Sequence, residues 1–187
     1  MVVLGIDPGS RRCGYGIVAR AGARLSRVDS GVLVTGPLPT AERLGRLYAS
    51  LSELLGRRGI DAVAIETAFC GRSPRSALAL GQARGVALAA AARAGLPVFE
   101  YAPAEVKLSF TGNGRAEKSQ MIRTVRTLFG MMPRLADEAD AIAIAVCHLA
   151  RRPDRLAGAA RSGAKPSGAS ARTGLLRRAV RSFREAP

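Results

Sequence analysis

The sequence opens on Val2-Val3-Leu4-Gly5-Ile6-Asp7-Pro8-Gly9-Ser10, an apolar run that ends abruptly at an acidic residue and a turn. The run has the length and composition of a short buried strand, and the Pro-Gly pair enforces the turn after it. Asp7 therefore stands at the carboxyl end of the first predicted strand. The same arrangement recurs where Ala62-Val63-Ala64-Ile65 is followed directly by Glu66.

The rest of the pattern predicts an α/β protein with a mixed sheet. Two more strands, at 14–19 and about 24–34, follow through short loops and predict an antiparallel meander. Apolar residues at helical spacing then alternate with strands at 62–65 and 98–101. We expect helices over 40–58, 74–94, 105–110, 117–129 and 137–150, with Thr40 as the N-cap of the first. Helical crossovers join parallel strands, so the result is a mixed five-stranded sheet flanked by helices.

Composition excludes several classes of protein. The chain has 187 residues, 48% of them hydrophobic, which suits one folded domain. No apolar run reaches the roughly 18–20 residues that a membrane span needs, and we expect no secretion leader, because no basic and apolar leader pattern is visible before the first strand. The three scattered cysteines and the single histidine form no zinc motif. We therefore expect a cytoplasmic protein with no membrane association, in which Cys13 and Cys147 are small buried residues and His148 is structural.

The net charge of +15 predicts a polyanionic partner. Residues 151–187 contain ten basic residues against two acidic ones in a background of Gly, Ala and Ser, and we interpret them as a flexible basic tail. Residues 1–150 keep a basic excess of their own and are expected to form the folded domain. The tail either adds grip on phosphates or is a solvated segment with no defined role.

Four carboxylates stand where the predicted elements converge. If the strands before Asp7 and Glu66 are parallel neighbours, both side chains meet at one edge of the sheet. Asp137 and Asp140 are three residues apart at the start of the last helix and share one face, whereas Glu138 points elsewhere. Clustered carboxylates need cations between them, and an all-oxygen ligand set selects Mg²⁺ or Mn²⁺. Two such ions would clamp a phosphodiester for attack by water.

Each of these acids also has an ordinary structural interpretation. Asp7 would begin a turn, and Glu66 would face solvent at a strand end. Asp137 and Asp140 would cap the last helix and interact with its dipole. On a chain with this much positive charge, the combination favours metal-dependent chemistry on a nucleic-acid backbone.

An ordered set of motifs runs from the first strand to the last helix: Gly5-Ile6-Asp7-Pro8-Gly9-Ser10, Gly14-Tyr15-Gly16, Ala64-Ile65-Glu66, Leu80-Gly81-Gln82-Ala83-Arg84-Gly85, Pro97-Val98-Phe99-Glu100-Tyr101, Gly112-Asn113-Gly114, Ala116-Glu117-Lys118-Ser119-Gln120, and Asp137 to Asp140 with Ala141-Ile142-Ala143-Ile144-Ala145. The set covers residues 1 to about 150 in order. It resembles the RuvC-type crossover-junction endodeoxyribonucleases, and the tail beyond about Pro153 lies outside the match.

The resemblance implies an RNase H-like fold and a homodimer that resolves four-way (Holliday) DNA junctions by paired nicks, in recombination and repair. It carries catalytic and metal-binding roles onto Asp7, Glu66, Asp137 and Asp140, with Mg²⁺ as the cofactor. It also implies products with a 5′-phosphate and a 3′-hydroxyl, and a branch-migration motor complex as a partner. A C2 dimer matches the two-fold symmetry of the junction, and the Ala-rich helix at 74–94 is a candidate interface.

Five further residues are candidates for contact with DNA. Lys107 and Lys118 resemble the family's lysines near the scissile phosphate, where a lysine offsets developing charge. Phe69 would stack on an unpaired base, while Arg72 and Arg75 in the same loop would reach phosphates. The alternatives are a phenylalanine folded into the core and solvated surface cations. The sequence of this loop differs from the sequence that is common in the family, so it does not predict a base preference for cleavage.

Three other functions share parts of this pattern. A sugar kinase or actin-like ATPase also has an Asp-x-Gly-Ser turn, but it needs two such domains, which 187 residues cannot hold. A ribonuclease H would cleave an RNA–DNA hybrid, and a non-catalytic junction-binding protein would bind without nicking. The presence of all four acids argues against the non-catalytic protein, and the Lys118-Ser119-Gln120 context favours the junction nuclease over a ribonuclease H.

Overall fold

A computed structural model describes residues 1–9, 11–57, 59–67 and 73–151. Within these ranges the chain forms five strands and five helices. The strands are β1 (Val2–Asp7), β2 (Arg12–Ala21), β3 (Arg24–Val34), β4 (Ala62–Glu66) and β5 (Val98–Tyr101). The helices are α1 (Thr40–Gly56), α2 (Pro74–Arg93), α3 (Pro103–Thr111), α4 (Lys118–Phe129) and α5 (Ala136–Arg151).

The strands form one mixed sheet in the order β3-β2-β1-β4-β5. β2 pairs antiparallel with both β1 and β3, whereas β4 pairs parallel with both β1 and β5. The predicted meander is confirmed, and so is the parallel contact between the first and fourth strands. The carboxyl end of β1 therefore lies between an antiparallel and a parallel neighbour, where the strand order reverses.

The side chains of β1 alternate between two hydrophobic cores. Val2, Leu4 and Ile6 pack into the core under α1 and α2. Val3 belongs to the core under α3, α4 and α5, and Gly5 lies against the backbone of α5. Helices thus cover both faces of the sheet, which is why β1 is apolar along nearly its whole length.

Glycines let α5 approach the sheet closely. A β-carbon on Gly5 would overlap the carbonyl oxygen of Ala141 and lie 2.7 Å from the amide nitrogen of Ala145. A β-carbon on Gly14 would overlap the carbonyl oxygen of Asp137, and one on Gly16 would lie 2.8 Å from the backbone of Ile142. A side chain at any of these positions would push the helix away, so this glycine surface sets the height of α5 above the sheet.

The predicted boundaries agree with the observed ones to within two residues. The prediction of Thr40 as an N-cap is wrong, because the extended Pro39 (φ −51°, ψ 152°) precedes the helix and Thr40 is its first residue. The predicted domain ends close to the end of α5, which continues through Arg151. Residues 152–187, which make up almost all of the predicted tail, lie outside the described residues.

No helix in the described part of the chain has both the length and the apolar character needed to cross a lipid bilayer.

Candidate active site

The parallel pairing of β1 and β4 brings two of the predicted acids to the same edge of the sheet. Ile6 lies opposite Ile65, so Asp7 and Glu66 are the next residues on neighbouring strands. The alternation that turns Gly5 and Ala64 toward α5 also turns these two carboxylates toward it. Both residues are half-buried.

The first turn of α5 covers this edge and adds the other two acids. Asp7 pairs across the sheet with Gly14, and Gly14 lies directly beneath the backbone carbonyl of Asp137. Asp140 follows one turn later on the same side of the helix, and both helical acids are half-buried. The backbone therefore assembles the four predicted acids around the carboxyl ends of β1 and β4.

The electrostatic surroundings of Cys13 reflect this arrangement. Burial, and next the negative charges of Asp7 and Asp137, raise the pKa of the Cys13 thiol to about 12, although a hydrogen bond with the backbone of Gly9 lowers it. The thiol therefore stays protonated and unreactive at neutral pH. Cys13 and Cys147 are both buried free cysteines, as predicted.

Two lysines approach the acidic edge from other helices. Burial raises the pKa of Asp140, whereas the positive charges of Lys118 and Lys107 lower it. Lys107 is half-buried in α3, and Lys118 is the exposed first residue of α4. Three separate helices thus contribute charged groups around Asp140.

The interpretation of Asp137 as a helix cap is wrong. Because α5 begins at Ala136, Asp137 lies within the first turn rather than before it. Glu138 points away from the acidic edge, as predicted. Its carboxylate accepts hydrogen bonds from the Ser30 hydroxyl (2.6 Å) and the Arg134 amide (2.7 Å).

His148 occupies a structural position in the core. The residue is fully buried, its Nδ1 lies 2.7 Å from the hydroxyl of Tyr101, and its ring packs against Phe99. Tyr101 in turn pairs with Glu66 across β4 and β5. The histidine thus connects α5 to the strand beside the acidic edge.

The acidic edge has the donor chemistry of a site for hard divalent cations. Its donors are carboxylate oxygens, which suit Mg²⁺ and Mn²⁺. Within residues 1–9, 11–57, 59–67 and 73–151, no three His, Cys, Asp or Glu side chains are grouped closely enough to hold an ion as they stand. The fit to a metal therefore lies in the donor type and the backbone placement.

Of the three predicted contacts in the loop after β4, one is described. Arg75 is exposed in the first turn of α2, which begins at Pro74. Phe69 and Arg72 lie outside the described residues.

Two features of the site were not predicted from the sequence. The close contact of Gly14 and Gly16 with α5 has a visible signal, because the Gly-Tyr-Gly pattern interrupts a strand with residues that carry no side chain. The bond between Ser30 and Glu138 joins residues 108 positions apart, and no local pattern indicates it.

Comparison with known proteins identifies the family. The model of the family described as crossover junction endodeoxyribonuclease RuvC matches residues 3–148. The chain belongs to the RuvC family. A RuvC from Anaeromyxobacter sp. (strain K) is 71% identical over 152 residues, which make up 81% of this chain and 82% of that protein. A RuvC from Chlorobaculum parvum is 47% identical over 154 residues, with 81% and 82% covered.

Solved structures confirm the RNase H-like fold of the RuvC family. Thermus thermophilus RuvC in complex with a Holliday junction substrate superimposes with a TM-score of 0.75 at 41% identity, covering 81% of this chain and 94% of that one. The yeast mitochondrial Holliday junction resolvase Ydc2 shares the fold alone, with a TM-score of 0.54 at 13% identity. The chain is therefore a crossover junction endodeoxyribonuclease, and RuvC membership implies dependence on a divalent metal ion.

We expect Asp140→Asn to stabilise the fold at neutral pH. Burial raises the pKa of Asp140, so ionisation is less favourable in the folded chain than in the unfolded one. The wild type should lose stability relative to the variant as pH rises from the ordinary Asp pKa through the raised one. The difference should be complete above the raised pKa and vanish at low pH.

Thermal melting of both proteins in metal-free buffer from about pH 3 to about pH 8 checks this expectation. The two Tm curves should coincide at acid pH and separate toward neutrality, with Asp140→Asn the higher. A wild-type Tm at neutral pH that equals or exceeds that of the variant would contradict it.

Proposed function

We propose that this chain resolves four-way DNA junctions by paired nicks that depend on Mg²⁺, with Asp7, Glu66, Asp137 and Asp140 as the catalytic and metal-binding residues. The observation that carries the proposal is the convergence of the carboxyl ends of β1 and β4 under the first turn of α5. Its family context is a RuvC solved with a Holliday junction at 41% identity.

The four proposed site residues project from rigid elements of the fold. Asp7 and Glu66 project from hydrogen-bonded strand ends, while Asp137 and Asp140 project from a helix packed tightly on glycines. When bound, two Mg²⁺ ions would supply an activated water and neutralise charge on the scissile phosphate. Mn²⁺ would substitute, because the same oxygen ligands bind it. Hydrolysis would leave a 5′-phosphate and a 3′-hydroxyl.

Lys107 and Lys118 would stabilise charge that develops on the phosphate during hydrolysis. The positive charges of both lysines lower the pKa of Asp140, which indicates that they lie near the acidic edge where a phosphodiester would bind. Preorganised cations at such a point favour the transition state over the bound substrate. Phe69, Arg72 and Arg75 would contact the junction next to this site, with the aromatic ring stacking on a base.

We expect Lys107→Met to slow cleavage far more than it weakens binding. Loss of one preorganised charge should lower the single-turnover rate by about 100-fold, whereas loss of one phosphate contact changes affinity by much less. Arg93→Met, which removes a cation from the exposed last turn of α2, serves as the matched control. Equal rates for the two variants would contradict the role of Lys107.

A homodimer would place two such sites on opposing strands of the junction. The candidate interface is the exposed face of α2, where Leu78 is 65% exposed and the surroundings of Gly81 and Gly85 are open. The buried alanines of α2 instead pack against the sheet and α1. A branch-migration motor complex is the proposed further partner, and the cytoplasm is the proposed compartment. The division into a nuclease domain at 1–150 and a tail at 151–187 stays a prediction.

The test uses a synthetic four-way junction with each strand labelled in turn, beside linear duplex and an RNA–DNA hybrid, with and without Mg²⁺. Symmetric nicks on two opposing strands of the junction, only with Mg²⁺, are expected. Cleavage of the hybrid in preference to the junction would indicate a ribonuclease H. Binding without nicking would indicate a non-catalytic junction protein, and nicks on a single strand would argue against the dimer.

A further inference from the structure

A buried carboxylate lies between the two helical acids in sequence but faces away from them. Glu138 is only 2% exposed, and its two oxygens accept hydrogen bonds from Ser30 Oγ and the Arg134 amide, at 2.6 and 2.7 Å. At 100° per residue, Glu138 is turned by about 100° from Asp137 and by about 160° from Asp140. We propose that Glu138 is a positioning residue that sets the rotation of α5 and so aims Asp137 and Asp140 at the acidic edge.

The glycine contact does not by itself set the rotation of the first turn of α5. Gly5, Gly14 and Gly16 bring α5 close to the sheet, and its later turns are also held by apolar packing and by the contact of His148 with Tyr101. In the first turn, Glu138 adds directional hydrogen bonds to β3 and to the segment before α5. Carboxylate oxygens project about 6 Å from a helix axis, so a 20° rotation would move them by about 2 Å. The directional hydrogen bonds to the Glu138 carboxyl group oppose such a rotation.

The partner of Glu138 is itself held in place. The register of the pairing between β2 and β3 shifts between Ile17 and Val18. Ile17 pairs with Asp29 and Val18 pairs with Arg27, so Val28 is an extra residue on β3, two positions before Ser30. Asp29 accepts hydrogen bonds from Arg57, the residue that follows α1 (2.7 Å), and from the amide of Ser30 (2.8 Å). Such irregularities re-aim side chains in strands near active sites. Here the Ser30 hydroxyl is aimed at α5 from an anchored strand.

Burial of the Glu138 carboxyl group favours a single packing arrangement of α5 at a cost in folding free energy. A buried acid is costly even when it is hydrogen-bonded, and a well-packed apolar side chain is often as stable or more stable in its place. Glu138 makes one bond to β3 and one to the segment before α5. Together they tie the first turn of the helix to the sheet edge and to its own lead-in.

The inference rests on the proposed function of the four acids and is tested with Glu138→Met, which keeps the side-chain volume but removes both acceptors. We expect the single-turnover cleavage rate to fall by about 10- to 100-fold, the effect usual for residues that orient metal ligands. Junction affinity should stay close to wild type, and Mn²⁺ binding by the free protein, read by EPR, should weaken. The Tm should be unchanged or higher.

Glu138→Gln should restore the rate to within a few-fold of wild type. Its amide oxygen accepts from Arg134, and its amide group donates to Ser30 once the hydroxyl reverses. Glu42→Met removes an exposed acid from the first turn of α1 and serves as the matched control. Ser30→Ala removes only one of the two hydrogen bonds, so its cleavage rate should fall less than that of Glu138→Met. This variant tests the proposal if Glu138→Met fails to fold.

Wild-type cleavage and Mn²⁺ binding by Glu138→Met would overturn the positioning role, provided that Asp137→Asn is inactive. Full activity of Asp137→Asn would instead overturn the proposed catalytic set, so the two failures are distinguishable. A fall in Tm that accounts for the lost activity, with no change in Mn²⁺ binding, would contradict the positioning role and show that Glu138 only stabilises the fold. If Glu138→Met is unfolded, wild-type cleavage by Ser30→Ala would overturn the proposal.

Discussion

Asp7→Asn is expected to abolish junction cleavage while leaving junction binding intact. The carboxylate projects from the end of β1 toward α5, beside the parallel strand that carries Glu66. On its other side Asp7 pairs with Gly14, which lies beneath the backbone carbonyl of Asp137. Replacing it with an amide removes a charged ligand from the centre of the proposed metal site. We expect the single-turnover rate to fall by at least about 1,000-fold, which corresponds to about 4 kcal/mol of transition-state stabilisation.

Binding should survive because it depends on a different part of the chain. The net charge of +15 is spread over the basic residues of the domain and the tail, and contacts with phosphates supply most of the salt-dependent affinity. Binding is measured in EDTA by gel shift, and cleavage in Mg²⁺ on the same labelled junction. Loss of both together would mean that Asp7 supports the fold rather than the chemistry.

Asp61→Asn is the matched control for this substitution. Asp61 stands just before β4, at the opposite end of the sheet from Glu66, and its carboxylate accepts a hydrogen bond from the amide of Val2 (2.6 Å). The amide can keep that bond, so cleavage should stay near wild type. A rate for Asp7→Asn within tenfold of this control would rule out the assignment of Asp7.

Gly14→Ala is expected to damage both stability and catalysis. The added methyl group would overlap the carbonyl oxygen of Asp137 and press on Ala141. Because α5 is packed over several turns, it must tilt or shift, and such overpacking costs about 1–3 kcal/mol of unfolding free energy. The same shift displaces Asp137 from the acidic edge, and a misplacement of about 1 Å can cost about 100-fold in rate.

Denaturant unfolding and single-turnover cleavage, both well below the melting transition, separate the two effects. Gly45→Ala makes the same chemical change in α1, where no atom lies within 4 Å of the added group. It should raise stability by about 0.5–1 kcal/mol, because alanine is the better helix former. A Gly14→Ala protein that is as stable and as active as wild type would contradict the close contact between β2 and α5.

Together, these expectations describe a site in which precision is favoured over stability. Asp140 is harder to ionise in the folded chain because of burial, and Glu138 keeps a carboxylate buried beside it in sequence. Removing either charge is expected to leave the fold as stable or more stable while catalysis falls. Such a trade between stability and function is common at active sites.

Much of the fold and of the site could be predicted from the sequence, because the relevant signals are local. Apolar runs and helical spacing predict each strand and helix to within two residues. The placement of Asp7 and Glu66 directly after apolar strands predicts their position at the sheet edge, and the ordered motifs predict the RuvC family. Thr40 shows the limit of such signals, since the N-cap position belongs to Pro39 and Thr40 is the first helical residue.

The sequence by itself therefore determined the order of the elements, the acids at their ends and the family. Only the tertiary structure decided how those acids are aimed. The height of α5 depends on the fit between Gly14 and the backbone of Asp137, and the hydrogen bond between Ser30 and Glu138 ties its first turn to β3. These contacts join residues more than 100 positions apart. Periodicity and turn chemistry act over a few residues, so such contacts exist only once the sheet and helix have packed.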